Sequence, residues 1–193
     1  QMEAVNRGAE WIETRLLASG PRANPWYQEC SSRPIQAGEL MGFDTDLVGS
    51  YGYCTDMSRT WLCGDEKPTN EQKEIYTLGY EQIQKNMELL KPGITFKELT
   101  LNAKEYSKDE FRHYSVLFHG VGLCDEFPAI PFSWELNENS FDGILKPGMV
   151  ICVESYVGRY NGGPGVKLEE QVLITNKGYE LLTNYPFESE LLL

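Results

Sequence analysis

The stretch from Met41 to Trp61 constrains this chain more than any other, because it repeats aspartate where local propensity opposes it. Asp44 and Asp46 lie two residues apart in an extended, β-prone segment. Side chains alternate faces along a strand, so both carboxylates are expected on one side. A Gly-rich break at Gly49–Gly52 lets the chain reverse, and on the return strand Cys54 and Asp56 share a face. The hairpin so formed brings Asp56 opposite the first two aspartates. Carboxylates converging on one sheet face repel strongly unless a cation neutralises them. A metal site and a polar hairpin face bathed in water are both compatible with this stretch, and the remaining residues must decide between them.

In 193 residues with 41% hydrophobic and 12% aromatic side chains, the composition is that of one globular domain rather than a disordered chain. The formal net charge of −12 argues against nucleic-acid and anionic-membrane partners, both of which require Lys and Arg surfaces. No apolar run approaches the length of a membrane span, and the first residues carry no secretory pattern. Cys30, Cys54, Cys63, Cys124 and Cys152 are odd in number and form no CxxC pair. Reduced thiols in a cytoplasmic setting are therefore expected, and a thiolate metal site is not. A chain that opens on Gln1 rather than Met is expected to be preceded by an N-terminal portion.

In chain order, Val5, Ala9, Ile12 and Leu16 recur at helical spacing, predicting a helix over 4–17 stopped at Ser19-Gly20-Pro21. Thr69 and Gln72 stand at capping-box spacing before an apolar stripe of Ile75, Gly79, Tyr80, Ile83, Met87 and Leu90. Thr95 and Glu98 repeat that spacing before a shorter helix reaching to about Tyr106. Both stripes predict core packing. His113 and His119 are the two histidines of the chain, and His119 precedes Gly120, Gly122, Asp125 and Glu126. His119 is read either as a satisfied structural residue or as a ligand. An apolar strand over 149–153 is expected to stop at Glu154, a carboxylate that needs a partner there. In the strand over 166–174, Leu168, Glu170, Val172 and Ile174 share one face and Glu169 lies on the other.

Asp44, Asp46, Asp56, His119, Glu154 and Glu169 thus offer mixed carboxylate and imidazole ligands, a set suited to a pair of divalent first-row metal ions. The residues 52–60, 119–123, 147–154 and 165–170 together resemble the catalytic domain of the pita-bread metallopeptidases, which include methionine aminopeptidase, prolidase, aminopeptidase P and creatinase. The resemblance implies an α+β fold in which a curved antiparallel sheet cradles the metals and helices cover its outer face. It implies that Asp56, His119, Glu154 and Glu169 hold metal. The family's first aspartate falls between Asp44 and Asp46 in spacing, so the doublet is expected to supply that ligand from one position or both. The resemblance also implies that residues 1–193 are a C-terminal catalytic domain, separate from the family's N-terminal domain, and that the protein pairs as a homodimer.

One departure carries a functional expectation. Family peptidases have a His-Glu-x-Pro run after the His-Gly motif, whereas here Asp125 stands before Glu126 and Pro128. A carboxylate there removes oxyanion stabilisation and supplies a base. This combination is similar to the peptidase-like dimethylsulfoniopropionate lyases. That similarity implies two divalent ions, iron foremost with zinc, manganese or cobalt as alternatives, and a small zwitterionic substrate. It further implies β-elimination to dimethyl sulfide and acrylate with Asp125 as general base, and Tyr114 near the substrate. An Xaa-Pro aminopeptidase or dipeptidase and a non-catalytic binding module on the same fold are the competing expectations.

Overall fold

The computed structural model describes residues 1–193 as two antiparallel sheets, two main helices and connecting loops. The first sheet is built on the hairpin read from the sequence. Strand β3 (Leu40–Val48) pairs along its length with β4 (Cys54–Leu62), and the reversal between them is a tight turn at Ser50–Gly52. The opposite edge of β3 carries two short strands, β1 (Trp11–Ile12) and β2 (Leu16–Ser19).

This arrangement corrects the expected helix over 4–17. Only α1 (Met2–Asn6) is helical, and Gly8 then turns the chain with φ +98°. Strand pairing with β3 outweighs the helical spacing of Val5, Ala9, Ile12 and Leu16, since a free edge of β3 offers backbone partners that a surface helix does not need. Val5, the first residue of that spacing, is exposed.

The capping boxes are both present. Thr69 and Gln72 close the start of α2 (Asn70–Met87), and Thr95 and Glu98 close that of α3 (Phe96–Asn102). Helix α3 stops short of the expected Tyr106 because Ala103 takes up extended backbone. Ile75, Ile83 and Met87 of α2 are buried in the main apolar cluster with Val153, Val157, Val166, Leu168 and Val172 of the second sheet. Gly79 allows a close approach there, its open side facing Leu168, Ser155 and Val166. Gln82 joins helix to sheet by accepting from the Ser155 hydroxyl at 2.7 Å.

The second sheet runs β10 (Gly178–Leu181), β9 (Gly165–Thr175), β8 (Val150–Arg159), β6 (Phe118–Gly120) and β7 (Ala129–Ile130), with β5 (Phe111–Arg112) on the far end of β8. Strand β8 does not end at Glu154 as expected. It continues to Arg159 because Glu154 is paired directly with Glu169 of β9 and has cationic neighbours, so burying its carboxylate does not break the strand. The face assignments along β9 hold, with Leu168, Val172 and Ile174 in the core and Glu169 on the opposite side. Glu170, on the core face, is paired with buried Arg59 at 2.6 Å.

The two sheets meet along β4 and β9 through side-chain bonds rather than a shared ladder. Thr60 Oγ1 donates to the Lys167 carbonyl at 2.8 Å and accepts from its N–H at 3.1 Å. Gln171 Oε1 accepts from the Asp56 N–H at 2.9 Å. No helix is long and apolar enough to cross a membrane.

Two substitutions separate capping from core packing. Thr69→Ala, which removes one half of a capping box, should cost about 1 kcal/mol in urea unfolding. Ile83→Ala, at a fully buried position facing the second sheet, should cost about 2–5 kcal/mol.

Candidate metal centre

The seam between the sheets concentrates the acidic residues singled out in the sequence. In register, Asp46 lies opposite Asp56 and Asp44 opposite Ser58, so the hairpin turns the three carboxylates to one side. Across the seam, β8 and β9 place Glu154 opposite Glu169, and β6 places His119 opposite Cys152. All six expected ligands are buried. His119 Nε2 lies 3.2 Å from Glu154 Oε1, 3.5 Å from Asp56 Oδ2 and 3.9 Å from Glu169 Oε1. Asp44, Asp46 and Asp56 form a second group around the same Asp56, with potential ligand atoms within 4.8 Å of one another.

Local backbone requirements explain how His119 reaches this point. Gly120 follows it where a Cβ would collide with the Phe127 carbonyl and the Pro128 ring. The Gly120 N–H donates to Pro128 O at 2.9 Å and the Leu117 carbonyl accepts from Glu154 N–H at 3.0 Å, locking β6 between its neighbours. His113 is elsewhere, packed against Phe132 and Trp134, and takes no part in the cluster.

Burial of this much acid shows in the proton affinities. Desolvation, with Glu169 beside it, outweighs Lys167 and pushes Asp44 up to about 6. Desolvation and the surrounding carboxylates hold Asp56 protonated far above the usual carboxylate range. Glu154 is raised to about 7 by burial and Glu169, against the pull of Lys167 and His119. Burial alone would lower His119, but its bond to Glu154 and the charges of Glu154 and Glu169 raise it to about 9. Glu169 goes the other way: burial raises it, yet Lys167 and His119 prevail and keep it low.

Three buried oxygens of the cluster, Asp56 Oδ1, Glu154 Oε2 and Glu169 Oε1, have no hydrogen-bond partner, although Glu154 Oε2 lies 2.7 Å from the Lys167 ammonium. Uncompensated buried carboxylate oxygens are costly. Their position beside His119 and the other aspartates fits oxygen-rich coordination of divalent first-row ions. Asp56, His119, Glu154 and Glu169 would serve one ion and Asp44, Asp46 and Asp56 its neighbour, with His119 giving up its proton to ligate.

Asp125 stands at the rim on the loop between β6 and β7, half-buried, in a turn strained at Glu126 with φ +54°. Desolvation and the nearby charge of Asp46 raise it to about 6. Tyr114, expected near the substrate, is 5% exposed. Its ring is stacked on Tyr27 with centroids 5.5 Å apart, and its centroid lies 4.4 Å from the Lys167 ammonium.

Sequence reasoning missed Lys167 and passed over Cys152. Lys167 precedes Glu169 by two residues in a strand and so shares its face, a signal that the alternation rule could have supplied. Cys152 is fully buried and lies within the same 4.8 Å group as Asp56, His119 and Glu169, closer to the centre than a scattered free thiol was expected to be. Burial and the adjacent Glu169 raise its thiol well above the ordinary range, keeping it neutral.

With fold and site in view, comparison with known proteins is informative. The model of metallopeptidase family M24 matches residues 2–176, and the chain belongs to that family. It is 50% identical over 191 residues to the dimethylsulfoniopropionate lyase DddP of Roseovarius nubinhibens, covering 98% of this chain and 43% of that protein. It is 35% identical over 175 residues to the Xaa-Pro dipeptidase of Pyrococcus horikoshii, covering 87% of this chain and 46% of that one. The crystal structure of the prolidase from the same archaeon superposes with a TM-score of 0.80 at 32% identity, over 95% of this chain and 51% of the prolidase. The fold is the α+β pita-bread fold expected from the motifs. The chain spans about half the length of the relatives it matches.

The proton affinities make a prediction for the metal-free protein. Asp44, Asp125 and Glu154 bind protons more tightly folded than unfolded, so their stabilising contribution is full below their ordinary values. It is lost as pH rises through about 6 for the aspartates and about 7 for Glu154, and His119 adds a loss continuing toward about 9. Glu169 opposes this only in acid, where its lowered value is crossed. Thermal melts of metal-free protein should therefore fall between about pH 5.5 and about pH 8. Saturating divalent metal should flatten that slope.

Proposed function

We propose that this chain is the catalytic part of a metal-dependent dimethylsulfoniopropionate lyase. Asp125 carries the reading: a half-buried carboxylate raised to about 6 at the mouth of the acidic cluster is tuned to take a proton near neutral pH. The 50% identity to DddP lyases supports the substrate class. Two divalent ions held by Asp44, Asp46, Asp56, His119, Glu154 and Glu169, iron foremost and zinc, manganese or cobalt as alternatives, would grip the substrate carboxylate and acidify its α-C–H.

Asp125 then accepts the α-proton. The C–H electron pair forms the new carbon–carbon double bond, the Cβ–S bond breaks, and its pair leaves on sulfur as neutral dimethyl sulfide, with acrylate remaining. The strained turn at Glu126 and the bond from Glu126 N–H to Asp125 Oδ1, at 3.1 Å, orient the base. Tyr114, whose ring centre lies 4.4 Å from the Lys167 ammonium, is assigned a place near the substrate in the same proposal. The free thiols of all five cysteines agree with a cytoplasmic setting, and pairing as a homodimer is part of the same proposal.

The Xaa-Pro dipeptidase reading has its own support in the 35% identical archaeal relative. The full-length metal-loaded protein should release dimethyl sulfide from dimethylsulfoniopropionate, and Asp125→Asn should lower the rate at least about 100-fold with metal content unchanged. Headspace gas chromatography and metal analysis check both. Proline release from Xaa-Pro dipeptides without dimethyl sulfide would replace the lyase reading by the peptidase one.

A further inference from the structure

Lys167 is fully buried, and its ammonium is surrounded by the carboxylates of the candidate centre. Its Nζ lies 2.7 Å from Glu154 Oε2, 3.4 Å from Glu169 Oε2, 3.5 Å from Asp44 Oδ2 and 2.6 Å from Ser58 Oγ. Ser58 passes the contact on, with its hydroxyl 2.6 Å from Asp44 Oδ1. The lysine cannot swing away freely: Thr60 holds its N–H and carbonyl, and the Tyr114 ring covers the ammonium at 4.4 Å.

The two glutamates are divided by this contact. Each turns Oε2 to Lys167 and Oε1 to His119, at 3.2 Å for Glu154 and 3.9 Å for Glu169. On Glu169 the oxygen left without a hydrogen-bond partner is Oε1, whereas on Glu154 Oε1 bonds His119 and Oε2 meets the ammonium as an ion pair without a hydrogen bond. A fixed ammonium therefore sets how both carboxylates are turned, and on Glu169 it leaves Oε1 free for a metal ion.

The charges also count out. Asp44, Asp46, Asp56, Glu154 and Glu169 carry five negative charges when ionised, two divalent ions supply four positive ones, and a ligating His119 is neutral. One negative charge remains in a dry volume, where such an excess is poorly screened.

We propose that Lys167 is a positioning residue that acts as the third cation of the centre, holding Oε2 of Glu154 and Glu169 and making the doubly loaded divalent site neutral. The inference rests on the metal-centre reading above and is independent of which substrate is cleaved. Lys167 touches the ligands rather than the reacting atoms.

The test is a cycle of thermal melts at pH 7.5 on wild type, Lys167→Arg and Lys167→Met, each metal-free and saturated with manganese(II). A fixed countercharge should matter most when the metal charges are gone. The manganese-induced rise in Tm should therefore be larger in K167M than in wild type by at least about 3 °C, and K167R should return to the wild-type rise. Loading with iron gives a second readout. Loss of a positive charge stabilises the more oxidised pair, so the midpoint potential should move negative in K167M and return in K167R. Equal losses of Tm in both metal states, or an unchanged potential, would overturn the proposal. A wild type that manganese does not stabilise would overturn the metal-centre reading itself. If K167M does not fold, Lys167→Gln supplies the same neutral comparison.

Discussion

The mutual repulsion of buried carboxylates is the constraint on which this structure turns. Asp44, Asp46, Asp56, Glu154 and Glu169 are all withdrawn from water at one seam, where opposite charge or proton uptake must offset the repulsion. His119 and Lys167 provide opposite charge within the chain, the first from the short strand β6 and the second from the long strand β9. The resulting centre is strained towards cations. Its orphaned carboxylate oxygens, Asp56 Oδ1, Glu154 Oε2 and Glu169 Oε1, suit divalent coordination.

The rest of the fold serves this seam. The long hairpin of β3 and β4 supplies three carboxylates from one sheet, and β8 and β9 supply two from the other. Helix α2 closes the apolar back of β8 and β9, so the acidic face stays rigid without needing apolar contacts of its own. Arg59 ties the arrangement to the C-terminal segment: it pairs with Glu170, donates to the Glu169 and Tyr185 carbonyls, and lies 4.2 Å from the Phe187 ring centre. Asp125 sits apart from this rigid set, half-buried on the loop between β6 and β7.

A histidine can donate to a developing oxyanion, whereas a carboxylate cannot once ionised. The lyase reading proposed above places the difference from the peptidases at Asp125, one side chain at the rim of the acidic cluster.

Much of this was legible in the sequence because strand alternation and capping boxes are local rules. Asp44, Asp46 and Asp56 on one face, Glu169 opposed to Leu168 and Val172, and the starts of both helices at Thr69 and Thr95 followed from spacing alone. Residues 4–17 misled, because their helical spacing was a local preference and the open edge of β3 a partner distant in the chain. Glu154 did not end its strand, since its countercharges His119 and Lys167 come from elsewhere in the sequence. Spacing along the chain was enough to name the possible ligands and the faces they occupy. The meeting of two sheets there, with Lys167 and Cys152 inside, came from tertiary packing, because electrostatic partnership depends on distance in space, and spacing along a chain fixes that only within one element.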